Sequence, residues 1–143
     1  MTISLATASE IATRAFAEGE GEGEARGVVV MSVVVTDPGG HIRLAKRSDA
    51  QGTFGVYTAL GKARTALGFN RPTLHLSKIF TDPFAVAAIT AATGGAFVSL
   101  GGGAVVQKDG VTVGAVAVSG GLPDVDEAIV VAAAESVGLS ILR

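Results

Sequence analysis

The chain contains no cysteine and no tryptophan, only two histidines and four prolines, and aromatic residues make up 5% of it. Without cysteine, disulfides, thiolate metal centres, iron–sulfur clusters and cysteine nucleophiles are excluded, while the redox compartment stays undetermined. His41 and His75 alone are too few for a three-histidine zinc site, and no metal site is expected. There is no apolar run of about 18 residues and no charged start followed by an apolar stretch and a cleavage site. The expectation is a soluble, cytoplasmic protein. An excess of positive charge is also missing: 11 Lys and Arg face 13 Asp and Glu, a formal net charge of -2. That balance offers nucleic acid or an anionic membrane no general attraction. What is present is 143 residues, 48% of them hydrophobic, with 20 glycines. This suits one domain, residues 1–143, whose core is made of Val, Ala, Leu and Ile rather than rings.

Periodicity gives the order of elements. Ile3, Leu5, Ile11 and Phe16 recur at helical spacing, predicting a first helix capped by Thr2 or Ser4 and running to about Ala17 and beyond. The alternating run Glu18-Gly19-Glu20-Gly21-Glu22-Gly23-Glu24 should fray its end, because each interior glycine costs about 1 kcal/mol relative to alanine. Val28 to Val35 is nearly all β-branched and reads as a central strand covered on both faces. Asp37-Pro38-Gly39-Gly40 then turns the chain, and His41 to Lys46 returns as the second arm of a hairpin. A second hairpin joins Gly103–Gln107 to Val111–Ser119 through Lys108-Asp109-Gly110, and a short strand is expected near Phe97 to Leu100. Between the hairpins, Val56, Leu60, Ala63 and Leu67 mark a helix over Phe54–Gly68. One or two short helices follow from Thr73 to Thr93, broken at Pro83, and a last helix runs from Pro123 to about Val137, with Asp124, Asp126 and Glu127 near the positive end of its dipole. The expected fold is α+β, a mainly antiparallel sheet of about five strands with helices packed on it.

The polar residues are uneven. Seven of the 11 basic residues lie between Arg43 and Lys78. Lys62 and Thr65 share a helix face, with Thr73 and His75 a short step beyond. Gly101-Gly102-Gly103 and Gly120-Gly121 can bring backbone N–H groups close to an anion. A cleft built this way offers a cation, hydroxyls and an imidazole. Each feature also has a plain structural reading: Lys62 pairing with an acid, the glycines as turns, and His41 and His75 as surface residues.

In order and separation, Asp37-Pro-Gly-Gly-His41, Arg47-Ser-Asp-Ala50, Lys62-Ala-Arg-Thr-Ala66, Pro72-Thr73, Gly101-Gly-Gly103, Lys108-Asp-Gly110, Gly114-Ala-Val-Ala-Val-Ser-Gly-Gly121 and Asp126-Glu127 resemble the GlcG/HbpS-like family. Members stand alone or form the C-terminal domain of some PduO-type proteins, and the family is associated with haem. The resemblance implies a profilin-like, five-stranded antiparallel sheet with flanking helices, assembled as a homo-oligomer from dimer to octamer. Its implied ligand is haem, a related tetrapyrrole or a carboxylate, held in a cleft near a subunit interface. Carried onto this sequence, Thr65 or Thr73 supplies a hydroxyl, Lys62 and Arg47 face propionates, Gly102, Gly103 and Gly120 donate backbone N–H groups, and His41 or His75 approaches iron. The Glu-rich iron-binding surface motifs of the secreted member have no counterpart here. Two alternatives stay open: a cofactor-independent isomerase, cyclase or hydrolase in which Lys62 works with Asp49 or Asp126, and a structural partner of a larger enzyme.

Overall fold

In the computed structural model, residues 1–24 and 30–143 are described, the first segment with side chains to residue 20. The order is α1 (Leu5–Glu24), β1 (Ser32–Thr36), β2 (Ile42–Arg47), α2 (Phe54–Phe69), α3 (Thr73–Ile79), α4 (Pro83–Ala92), β3 (Gly103–Lys108), β4 (Val111–Ser119), α5 (Pro123–Ser136) and β5 (Ser140–Ile141). Five strands form one antiparallel sheet in the order β2-β1-β4-β3-β5. The fold is α+β, as the sequence pattern predicts.

Local chemistry accounts for most boundaries. Ser4 Oγ accepts the Thr7 N–H at 3.0 Å and so caps α1, which stays helical through its alternating glycines to Glu24. A Cβ at Gly19 would lie 2.8 Å from Met31 Sδ, so glycine there lets the helix end approach the strand start. In the first hairpin, Gly40 takes a φ of 79°; in the second, Asp109 and Gly110 both take positive φ, as a tight two-residue turn requires. Asp82 caps α4 by accepting the Phe84 N–H at 2.9 Å, and proline occupies the first turn of both α4 and α5, where its missing N–H is harmless.

The alternation of β1 sets the two faces of the sheet. Val33 and Val35 point, with Val106, Val116 and Val118, into a core shared with α1 and α5. Val34 points the other way, onto Ala59 and Ala63 of α2, with Ala115 and Ala117 beside it. All three valines are fully buried, and each such side chain contributes about 1.5–3 kcal/mol. The strand is therefore covered on both sides, although the expected start at Val28 and Val29 lies outside the described residues. β2 is an exposed edge carrying Arg43, Lys46 and Arg47, charges that discourage strand addition.

Two expectations are corrected. Phe97 to Leu100 is not a strand; it is held to α2 instead, where Val98 N–H donates to Thr65 Oγ1 at 2.8 Å and the missing side chain of Gly61 leaves space for Val98. The fifth strand is the two-residue β5, which pairs with β3 through Val106 and Gln107. Its brevity leaves no alternation to read in the sequence.

Candidate functional site

The chemistry-bearing residues gather where α2 passes over the starts of β3 and α5. Glycine and alanine on both surfaces bring the helix against strand backbone: a Cβ at Gly103 would lie 2.7 Å from the Lys62 carbonyl oxygen. Lys62 extends under this crossing and is 4% exposed. Its Nζ donates to the Val118 carbonyl at 2.9 Å and meets Asp126 Oδ2 at 3.4 Å, while Asp126 Oδ1 accepts the Gly121 N–H at 3.1 Å. A buried ion pair thus ties α2, the end of β4 and the first turn of α5 together. Burial pushes the Lys62 ammonium below its usual pKa range, and the Asp126 charge opposes that shift.

Neighbouring hydroxyls are also directed inward. Thr73 Oγ1 accepts the Gly103 N–H at 2.9 Å, and Thr65 Oγ1 accepts from Val98 and donates to the Ala96 carbonyl at 3.4 Å. Gly102, at a φ of 116°, has Lys62 Nζ, the Asp126 Cβ and the Val118 oxygen within 3.1 Å of where a side chain would begin. Lys62, Thr73, Gly102 and Gly103 therefore come together as a sealed polar seam, while the Thr65 hydroxyl is turned to Ala96 and Val98. Gly120 lies at its far end against Val30 and Gln51, and Arg47 Nη1 donates to the Gln51 carbonyl at 3.0 Å. Asp49 is exposed on the loop after β2; the acid beside Lys62 is Asp126. Gln51 and Ser119 were not legible as partners, yet Gln51 Nε2 donates to the Ser119 carbonyl at 3.1 Å across 68 residues.

Outside the seam, Thr65 forms part of the floor of a shallow cup of about 60 Å³ with Arg64, Gly68, Phe69, Thr93, Ala96 and Phe97. Phe69, Phe80 and Phe97 make mutual edge-type contacts with centroids 5.3–5.7 Å apart. Arg64 and Gly68 also line a trough of about 300 Å³, floored by the Pro38-Gly39-Gly40 turn. Cup and trough thus adjoin, with Arg64 and Gly68 between them. Arg64 Nε donates to the Gly40 carbonyl at 3.0 Å and fixes the guanidinium between them. His41 stands at the trough's edge with its ring over Gly39 and its Nδ1 3.2 Å from both Asp37 carboxylate oxygens. The backbone N–H groups of His41 and Gly39 also hold Asp37 and lower its pKa. Among the described residues, no three His, Cys, Asp or Glu side chains are grouped to hold a metal ion, and no helix is long and apolar enough to cross a membrane.

A family model described as "Haem degrading protein HbpS-like" matches residues 3–135. The chain belongs to the HbpS-like family. Among solved structures, a double mutant of Streptomyces reticuli HbpS is 29% identical with a TM-score of 0.80, covering 96% of this chain and 88% of that one. Two more distant structures share the fold of this HbpS-like chain. A PduOC:haem complex is 22% identical, with a TM-score of 0.84 and 100% of both chains covered. The Klebsiella pneumoniae protein ORFY is 24% identical, with a TM-score of 0.80 over 96% of this chain and 91% of that one. No curated protein matches the chain.

The HbpS-like match spans the whole polar seam, including Glu127, whose role the sequence did not show. Glu127 Oε2 accepts the Leu74 N–H at 3.1 Å and so clips α3 to α5. Burial raises its pKa above the ordinary 4.5, against opposing hydrogen bonds from Leu74 and Gly102 and the charges of Lys78 and Arg143. A raised folded-state value adds stability that is complete below pH 4.5 and is lost as pH rises through the raised value. The stability of the wild type relative to Glu127→Gln should accordingly fall across that window. Urea titrations of both proteins over the acid range check this, and a constant difference would count against it.

Proposed function

We propose that this protein is an oligomeric haem-binding protein, or one binding a related tetrapyrrole, and that the ligand lies on the surface from Phe97 past Arg64 to His41, closed by a second protomer. The observation that carries this reading is α4. Its ten residues, Pro83 to Ala92, contain no charge, and none of them is buried. Phe84 is 86% exposed and Ile79, just before it, 58%. A helix that apolar normally has cover on at least one side. Its C-terminal neighbour Thr93 lines the aromatic cup, so a protomer seated on α4 would also roof the cup.

Size supports an inter-subunit position. The cup alone is smaller than the roughly 300–1,000 Å³ of a typical small-molecule site, so a tetrapyrrole must extend along the trough and be covered from outside. The residues fit such a group: Phe69 and Phe97 would give an apolar aromatic contact, Arg64 would offer a cation to a propionate, and His41, its Nδ1 beside Asp37, would offer Nε2 to iron. Bound haem would supply an iron centre able to take ligands and electrons. Membership of a family described as haem degrading and the shared fold of a haem complex support the reading. Acid–base chemistry at Lys62 and Asp126 has less support, since both are sealed from solvent.

Haemin titration tests the proposal. A Soret band should develop at micromolar haemin, with affinity weakened about tenfold or more, a loss of about 1.4 kcal/mol, in His41→Ala. Sedimentation should show an assembly larger than a monomer that Phe84→Asp dissociates. An unchanged haemin spectrum, or a monomeric wild type, would overturn it.

A further inference from the structure

Another cleft opens beside α3, with about 250 Å³ of space lined by Arg71, Leu74, His75, Lys78, Glu127 and Arg143. It shares no lining residue with the cup or the trough. His75 and Lys78 are three apart on α3 and so face the same way; Arg71 comes from the turn before that helix and Arg143 from the segment after β5. All four side chains are exposed.

The charge here runs against that of the whole chain. Three cationic side chains, Arg71, Lys78 and Arg143, and one acidic side chain, Glu127, line the cleft in a protein whose formal net charge is -2, with the main-chain oxygen of Arg143, the last residue of the sequence, as a further acceptor. None of the three is within ion-pair distance of an acidic side chain among the described residues, where the pairs are His41–Asp37 and Lys62–Asp126. Arg71 Nη1 donates to the Arg143 main-chain oxygen at 3.0 Å, which positions the guanidinium at the rim of the cleft. Glu127 is turned inward to the Leu74 N–H and sits at the base of the cleft, half-buried.

We infer that this cleft is a binding site for a small ligand carrying two or more anionic groups, carboxylate or phosphate, with Arg71, Lys78 and Arg143 as its charge partners and His75 as an added hydrogen-bond donor. Arginine's planar fork matches either group in two-point contact. The volume, about 250 Å³, lies below the roughly 300–1,000 Å³ of drug-sized sites and suits a ligand as small as citrate or pyrophosphate. The inference stands apart from the haem proposal, since the two surfaces are lined by different residues.

Calorimetric titration of the full chain with citrate and, separately, inorganic pyrophosphate tests it at low ionic strength. Saturable binding of at least one is expected with a Kd of about 1 mM or tighter. Which of the two binds better distinguishes the carboxylate from the phosphate source. The double variant Arg71→Gln/Lys78→Gln should weaken binding about tenfold or more, whereas Lys108→Gln, an exposed cation elsewhere, should not. Both changed residues are exposed, so the fold should survive, and an unaltered haemin titration of the double variant would show that the haem surface is intact. No saturable binding of either probe, or equal binding by the double variant, would overturn the inference.

Discussion

Asp126→Ala is expected to lower the unfolding free energy by about 3–5 kcal/mol, the range seen when one member of a buried ion pair is removed and the other is left uncompensated. The stranded group is the Lys62 ammonium, 4% exposed, with the Val118 carbonyl as its remaining hydrogen-bond partner. The Gly121 N–H loses its acceptor as well. Asp126→Asn should cost less, because its amide oxygen can still accept from Gly121. The pH dependence has a definite sign. Burial already depresses the Lys62 pKa, and removing the Asp126 charge removes what opposes that shift. A lysine whose folded-state pKa is depressed destabilises the fold at lower pH, and stability is recovered as pH rises from that depressed value towards the ordinary 10.5. The deficit of Asp126→Ala should therefore narrow between neutral pH and about pH 9.5. Urea unfolding at the two pH values measures it; a loss below about 1 kcal/mol at neutral pH would mean the pair is not holding the seam.

Gly103→Val should be comparably severe for a different reason. The first carbon of any side chain at Gly103 would lie within 2.9 Å of the Lys62 carbonyl carbon, carbonyl oxygen and Cβ. Two of those atoms are backbone, so relief requires moving α2 away from the sheet. Overpacking of a tight core costs about 1–3 kcal/mol, and displacement of backbone puts this variant at or above the upper end. Gly52→Val is the matched control. No atom lies within 4 Å of that position, and a change within about 0.5 kcal/mol is expected. Because Gly103→Val shifts Lys62, its effect should overlap with that of Asp126→Ala, and the double variant should lose less than the sum. Thermal or urea denaturation of the four proteins decides the matter, and strict additivity would show that the two sites are independent.

Much of this architecture can be read from local pattern. The valine run marks a strand buried on both faces because a strand with alternate solvent exposure would carry polar residues at every second position. Asp37-Pro38-Gly39-Gly40 and Asp109-Gly110 specify hairpins through their backbone preferences. Helical spacing at Val56, Leu60, Ala63 and Leu67 places α2, and Lys62 and Thr65 fall on one side of it as the spacing requires. The Phe97–Leu100 segment shows where pattern misleads. Its apolar residues suit a strand, but the segment packs against Gly61 and Thr65 of α2.

The amino-acid sequence by itself determined the class of fold, the two hairpins, the helix positions and the residues worth watching, because each depends on chemistry within a few neighbours along the chain. Only the tertiary structure decided that Lys62 turns inward to Asp126 across 64 residues, that Glu127 clips α3 in place, and that Arg71, His75, Lys78 and Arg143 share one cleft. It likewise separated the residues engaged within the fold, Thr65, Thr73 and Gly103, from those on open surfaces, His41 and His75. The reason is that desolvation and pairing are set by what the folded chain brings alongside a group. A lysine on a helix has the same local sequence whether its ammonium ends in water or under a strand.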